Sequence, residues 1–166
     1  MSYRNKTYVI FDGDNDMWAY GYMKGWKNND RIEFNFHDAH DLRPLTDTAS
    51  DETIKARLRE RLSNTKQGIV LVGENTKYLR KFVPWELEIC LKLDIPIIAA
   101  NLNEKRRKDS DLCPAIIRDE PVVHVAFKMK IIKYALDNFP DFYATRDATK
   151  NGPFYYPDNV YEQLGL

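Results

Sequence analysis

The chain predicts an α/β fold, an open parallel sheet of about five strands with helices on both faces. Three observations carry that expectation. Short apolar runs alternate with segments of helical period, the pattern of strand–helix–strand units. The run at 68–72 (GIVLV) is apolar throughout, as strands covered on both faces are. The stretch at 81–101 (KFVPWELEICLKLDIPIIAAN) passes directly from an amphipathic helix into a buried strand.

The elements follow in order. Residues 7–11 (TYVIF) form a first strand that ends in the acidic turn Asp12, Gly13, Asp14, Asn15, Asp16. A helix is expected from Asp16 to about Lys27, with Trp18, Tyr22 and Trp26 at i, i+4, i+8 as its apolar positions. Gly21 and Gly25 weaken it unless they serve a close approach. Residues 32–36 (IEFNF) alternate as a second strand, and a polar loop carries His37, Asp38, His40, Asp41, Arg43 and Pro44. Ser50 is a natural N-cap for a helix whose stripe is Ile54, Leu58 and Leu62, with Asp51 and Glu52 in its first turn. The third strand, 68–72, follows.

In the next helix Pro84 suits the first helical position, where a missing N–H costs nothing. Glu88 and Lys92 are an i,i+4 pair on a narrow polar slot. Glu86 lies off that slot, between Phe82, Cys90 and Leu93 on the apolar arc. A carboxylate there has two readings. At the third helical position it can accept first-turn N–H groups. Alternatively it is a carboxyl at the mouth of a pocket, since one aimed at apolar surroundings must be paired, protonated or lining a cavity. Residues 95–102 give the fourth strand, 104–111 a charged loop, 121–125 a fifth strand and 127–138 a last helix. The tail aromatics Tyr143, Phe154, Tyr155, Tyr156 and Tyr161 are too many for a disordered segment and are expected to pack on the body.

Composition bounds the function. With 166 residues, 43% hydrophobic and 30% charged, the chain reads as one soluble domain spanning residues 1–166. Zero formal net charge indicates no general attraction to nucleic acid or anionic membrane. No apolar run is long enough to span a bilayer, and the first residues carry no signal-peptide core. Two cysteines in different settings, Cys90 and Cys113, point to a reducing, cytoplasmic setting rather than a disulfide framework.

In open parallel sheets ligands bind beyond the carboxyl ends of the strands, at the switch in strand order. That rim would gather 12–16, 37–41, 73–76 and the start of the Glu86 helix, and the convergence favours the functional reading of Glu86. The ordered set YVIFDGDND, FHDA, GIVLVG and FVPWELEICLKLDIPIIAANL resembles the TIR-like domains of the group that includes the TIR protein of bacterial Thoeris anti-phage defence (ThsB-like). In TIR domains an aromatic residue often stands four positions before a Glu on the third helix, and a Pro-Ile-like pair opens the next strand. Phe82 with Glu86, and Pro96 with Ile97, fill those positions. The resemblance spans about 7–126, leaving the segment 127–166 outside.

The resemblance implies a flavodoxin-like fold and cleavage of the nicotinamide glycosidic bond of NAD, with NAD as substrate and neither cofactor nor metal. It makes Glu86 the catalytic carboxylate. The nucleotide pocket falls on the loop after the first strand, at Phe11, Asp12, Gly13 and Asp14. The gate falls on the loop after the second strand, at Asp38 and Arg43. A carboxylate can orient the ribose and stabilise an oxocarbenium-like ribosyl cation. Capture by water gives ADP-ribose, and capture within the molecule gives a cyclic signal. The resemblance further implies an effector protein that senses the product, and self-association. The crowding of Asp12, Asp14 and Asp16 departs from the small polar residue many TIR domains place there, and three carboxylates would repel a dinucleotide unless offset.

Other readings stand beside this one. Asp12 and Asp14 after an apolar strand match the Asp-x-Asp of Mg²⁺-dependent haloacid dehalogenase-like phosphatases, although Asp16 replaces the usual Thr or Val and no later Lys with an acidic pair follows. A receiver domain needs an Asp after the third strand, where Gly73 and Glu74 stand. His37 and His40 lack a third metal ligand, and neither cysteine is set up as a nucleophile. A TIR-like adaptor, assembling without turnover, is the non-enzymatic alternative.

Overall fold

A computed structural model describes residues 7–29, 50–149 and 151–166. The expected second strand at 32–36, the His37–His40 pair, Asp38 and Arg43 lie outside the described residues. Strict two-residue alternation of apolar side chains organises what is described. In β1 (Thr7–Ile10) Val9 faces one layer, whereas Tyr8 and Ile10 face the other. In β2 (Gln67–Val72) the split is Ile69 and Leu71 against Val70 and Val72. In β3 (Ile97–Asn101) it is Ile98 and Ala100 against Ile97 and Ala99. Such strands must be covered on both faces, and they are. With β4 (Val123–Ala126) and β5 (Phe154–Tyr155) they form a five-stranded sheet in the order β1-β2-β3-β4-β5, every pair parallel.

Helices α1 (Met17–Asn28) and α4 (Met129–Ala144) supply one layer, through Ala19, Tyr20 and Met23 and through Ile131, Ile132, Ala135, Leu136 and Phe139. Helices α2 (Asp51–Ser63) and α3 (Phe82–Lys92) supply the other, with Ile54, Leu58 and Leu62 against Val83, Leu87 and Cys90. The chain thus changes face between α1 and α2, after β1. This is the α/β, flavodoxin-like arrangement of TIR-like folds, and the end of β1 is where ligand sites in such sheets form.

Several local expectations hold for their physical reasons. Ser50 caps α2, its Oγ accepting from the Thr53 N–H at 3.2 Å. Glu88 and Lys92 pair at 3.0 Å. Others are corrected. The buried stripe of α1 is Ala19, Tyr20 and Met23; Trp18 and Tyr22 remain exposed, and Trp18 and Trp26 flank Phe127 instead. Among the described residues nothing lies within 4 Å of a Cβ added at Gly21 or Gly25, so no close approach by them is seen there. Helix α4 continues past Asn138 to Ala144 with Pro140 inside it, because Phe139 before the proline and Tyr143 after it bury on the same face.

The tail adds the fifth strand of the described sheet, and the segment at 121–125 becomes β4 two residues later than expected. Tyr161 of α5 (Asp158–Gln163) is fully buried, and its hydroxyl accepts from the Ala126 N–H at 3.1 Å. Gly152 makes the entry to β5 possible. It has φ +82°, and a Cβ there would lie 2.8 Å from the Glu120 carbonyl oxygen and 2.9 Å from the Pro121 Cα. Because those neighbours are backbone, Gly152→Ala is expected to destabilise the protein by roughly 2 kcal/mol in urea denaturation. A loss within about 0.5 kcal/mol, the range of an ordinary surface substitution, would show that β5 is not held where it lies.

Candidate active site

Two separate groups of polar side chains lie near β1, one at the rim where the strand ends and one in the layer between Tyr8 and α3. The first is the rim of the sheet. Asp12 is buried, and its carboxylate closes its own loop: Oδ1 accepts from the Asp14 and Asn15 N–H groups at 3.0 and 3.3 Å, and Oδ2 from Asn15 Nδ2 at 2.7 Å. Asp16 precedes α1 but does not cap it. Its side chain turns inward to the end of β2, where an added Cβ on Gly73 would come within 2.3 Å of Asp16 Oδ2. Glycine at 73 is therefore what lets this carboxylate fit. Thr76 bridges the two segments, accepting from the Gly73 N–H at 2.9 Å and lying 3.5 Å from Asp16 Oδ2. Burial pushes the Asp16 carboxyl above its ordinary value; the Asp12 charge adds to this and the Thr76 hydroxyl opposes it.

This geometry answers the crowding of acids noted in the sequence. Asp12 and Asp16 are used inside the fold, and only Asp14 of the three faces solvent. The loops after β1 and β2 meet as expected. The loop after β3 joins them, because Lys77 Nζ donates to the Asp111 carbonyl. That charged loop is anchored by a buried Asp109. Burial alone would raise this carboxyl, but hydrogen bonds from Asn103, Lys105 and the N–H groups of Asp111 and Leu112 outweigh it and hold it at about 2.

The second group centres on Glu86, which is only 7% exposed. Helix α3 begins at Phe82, two residues before the expected start, because Pro84 is tolerated anywhere among the first N–H groups, none of which has an intrahelical acceptor. Glu86 is therefore the fifth helical residue and not a first-turn cap. The reading in which it merely satisfies the helix start falls with that position. Its carboxyl enters the layer between α3 and β1, where it hydrogen-bonds to the Tyr8 hydroxyl. Burial pushes Glu86 up to about 8, against the pull of the Tyr8 bond. Tyr8, 4% exposed, is itself driven upward by burial and by the nearby Glu86 charge. At neutral pH the carboxyl is thus mostly protonated.

The other expected residues divide. Phe11 stacks on Tyr20 at 4.6 Å in the α1 layer, across the sheet from Glu86, so its side chain is not brought to the same place. Asp12, Gly13 and Asp14 are at the rim. Asp38 and Arg43 lie outside the described residues. Burial raises Cys90 to about 12 and Cys113 to about 11, which leaves both as inert thiols at neutral pH. Among the described residues no group of three or more His, Cys, Asp or Glu could hold a metal ion, and no helix is long and apolar enough to cross a membrane. Tyr8 is the residue the sequence reading missed. A tyrosine among aliphatics in a buried strand needs a partner for its hydroxyl, and that was the available signal.

The model of one family, the TIR-like domain of the Thoeris protein ThsB, matches residues 8–107. The chain belongs to that family. The match runs from β1 through α3 and β3, so it takes in Tyr8, the rim loops after β1 and β2, and Glu86 in the third helix of the described fold. A TIR-like module of a defence family displaces the phosphatase and receiver readings of Asp12 and Asp14. The segments that follow residue 107, including β4, α4 and β5, lie beyond the match.

Proposed function

We propose that this TIR-like module cleaves the nicotinamide glycosidic bond of NAD, with Glu86 as the carboxylate that acts on the ribose, and that it does so in cytoplasmic anti-phage signalling. One observation carries the reading. Glu86 is a buried carboxyl whose ion-pairing with a cation is not seen among the described residues, and whose partner is a single hydroxyl. Such a group costs stability, and folding gives no reason for it at the fifth position of an otherwise apolar helix face. Chemistry does. The C1′–N bond breaks with its electron pair leaving on neutral nicotinamide, and the ribosyl cation that remains needs a carboxylate beside it. Water then adds and releases a proton, giving ADP-ribose; alternatively a ring nitrogen of adenine closes a cyclic product. The positive pyridinium ring of NAD also favours the ionised carboxylate, so substrate arrival opposes the protonation that burial imposes. Asp14 and Gly13, at the exposed part of the rim, would border the nucleotide. A separate effector would read the product.

The adaptor alternative draws on one feature, the exposed pair Trp18 and Tyr22 on α1, 52% and 59% exposed, which is suited to self-association. Nucleotide profiling by mass spectrometry of phage-challenged cells separates the two. Cells with the unaltered chain are expected to lose NAD or gain an ADP-ribose-type product, and Glu86→Gln cells to do neither. Protection that survives in Glu86→Gln cells without any such product would sink the enzymatic reading and leave the adaptor.

A further inference from the structure

We propose that Tyr8 is a positioning residue for Glu86: its hydroxyl, carried on the α3-facing side of β1, orients the carboxyl in the closed layer. The proposal rests on the reading of Glu86 as the acting carboxylate, and its placement argument stands on geometry. Tyr8 belongs to a strand paired along its length with β2, so its ring has little freedom. Glu86 projects from a helix packed on that strand and on α2. The titratable and charged groups that face the pair among the described residues are Cys90 on α3 and Arg61 on α2, whose charge is felt at Tyr8. The thiol stays neutral. The Arg61 charge pulls the Tyr8 phenol toward ionisation, but burial and the Glu86 charge push it the other way and win.

The direction of the effect follows from which group holds its proton. Both neighbours are buried, but the phenol is driven further from ionisation than the carboxyl is. Tyr8 therefore remains the donor through the physiological range, and Glu86 is the group that changes state. A hydrogen bond donated to a carboxylate is stronger than one to its neutral acid. Tyr8 thus draws toward ionisation a group that burial holds protonated. In a TIR-like site this makes the strand residue, and not only the helix residue, a determinant of the pH at which the chemistry turns on.

The test is Tyr8→Phe, which keeps the ring and removes only the hydroxyl. Titration of the Glu86 carboxyl by ¹³C NMR in the free protein is expected to move upward by about one pH unit. The rising limb of NAD turnover should move with it, so that kcat falls about tenfold at pH 7, recovers near pH 10 and leaves KM unchanged. A merely structural tyrosine would lower turnover by one factor at every pH and leave the Glu86 titration in place, which would overturn the proposal. Should Tyr8→Phe not fold, the reciprocal measurement decides: the Tyr8 phenol should titrate lower in Glu86→Gln, and an unchanged phenol overturns the coupling. If the unaltered protein turns over no NAD while the Glu86 titration still moves, the catalytic reading fails and the Tyr8–Glu86 coupling stands.

Discussion

Replacing Glu86 by Gln is expected to stabilise the protein above pH 8 by roughly 3 to 5 kcal/mol relative to its stability change at pH 4.5. The folded carboxyl titrates at about 8 and its ordinary value is 4.5, because burial disfavours its charge. Between those values the folded state holds a proton that the unfolded state has released. Stability therefore falls as pH rises through 4.5 to 8 and is flat above that window. Gln keeps the size and polarity but cannot ionise, so its own burial adds only a constant offset. Urea denaturation at pH 4.5, 6, 7 and 9 would measure the effect. Parallel curves for the two proteins at all four values would mean that Glu86 ionises freely in the folded state. The same substitution is expected to remove NAD cleavage, so one change would raise stability and abolish chemistry, as groups kept for function rather than for folding do.

The second large effect lies on the opposite limb. His124, in β4, is fully buried, and neither ring nitrogen has a hydrogen-bond partner among the described residues. Burial, with a smaller contribution from the Lys108 charge, lowers it to about 4 from an ordinary 6.5. Here the unfolded state takes up the proton first. Stability is fully present above 6.5 and declines as pH falls to about 4, by roughly 3 kcal/mol. His124→Leu should flatten that decline and add roughly 1 kcal/mol at neutral pH, since it removes two unsatisfied buried nitrogens. If the variant instead loses stability between pH 6.5 and 4 as steeply as the parent, His124 is not the group responsible. Together the two residues give a parent protein that is most stable between about pH 4.5 and 6.5, with the two limbs removable one at a time.

Much of this fold was legible because its layers follow from side-chain period. The runs around 7–11, 68–72 and 95–102, the Ser50 cap and the Glu88–Lys92 pair need only neighbouring residues to be read. The misplaced features depend on distant ones. The stripe Trp18, Tyr22 and Trp26 looks like a core face, yet β1 and β2 draw in Ala19, Tyr20 and Met23. Two residues of β5 are too few for any period to show, and their strand exists because β4 offers an edge. Glu86 was legible as an anomaly, but its depth depended on whether α3 began at Phe82 or Pro84. Its partner Tyr8 was hidden because it lies far along the chain in another element. The buried Asp109 was hidden because it follows directly on a run of four basic residues in a charged loop.

The small strand at the end of the chain has a consequence beyond closing the sheet. Val123 to Ala126 would otherwise present a bare ribbon of backbone donors and acceptors flanked by apolar side chains, the kind of template on which a second chain can add. Phe154 and Tyr155 occupy the first half of that ribbon, and the Tyr161 hydroxyl takes the Ala126 N–H in the second. Pro153 and Pro157, on either side, cannot donate to a further strand. The tail that family comparison leaves unmatched thus covers the edge of β4, and a fragment cut at the matched boundary would lose β4 and β5 together with α4, leaving β3 as the bare edge and one apolar face of the sheet uncovered.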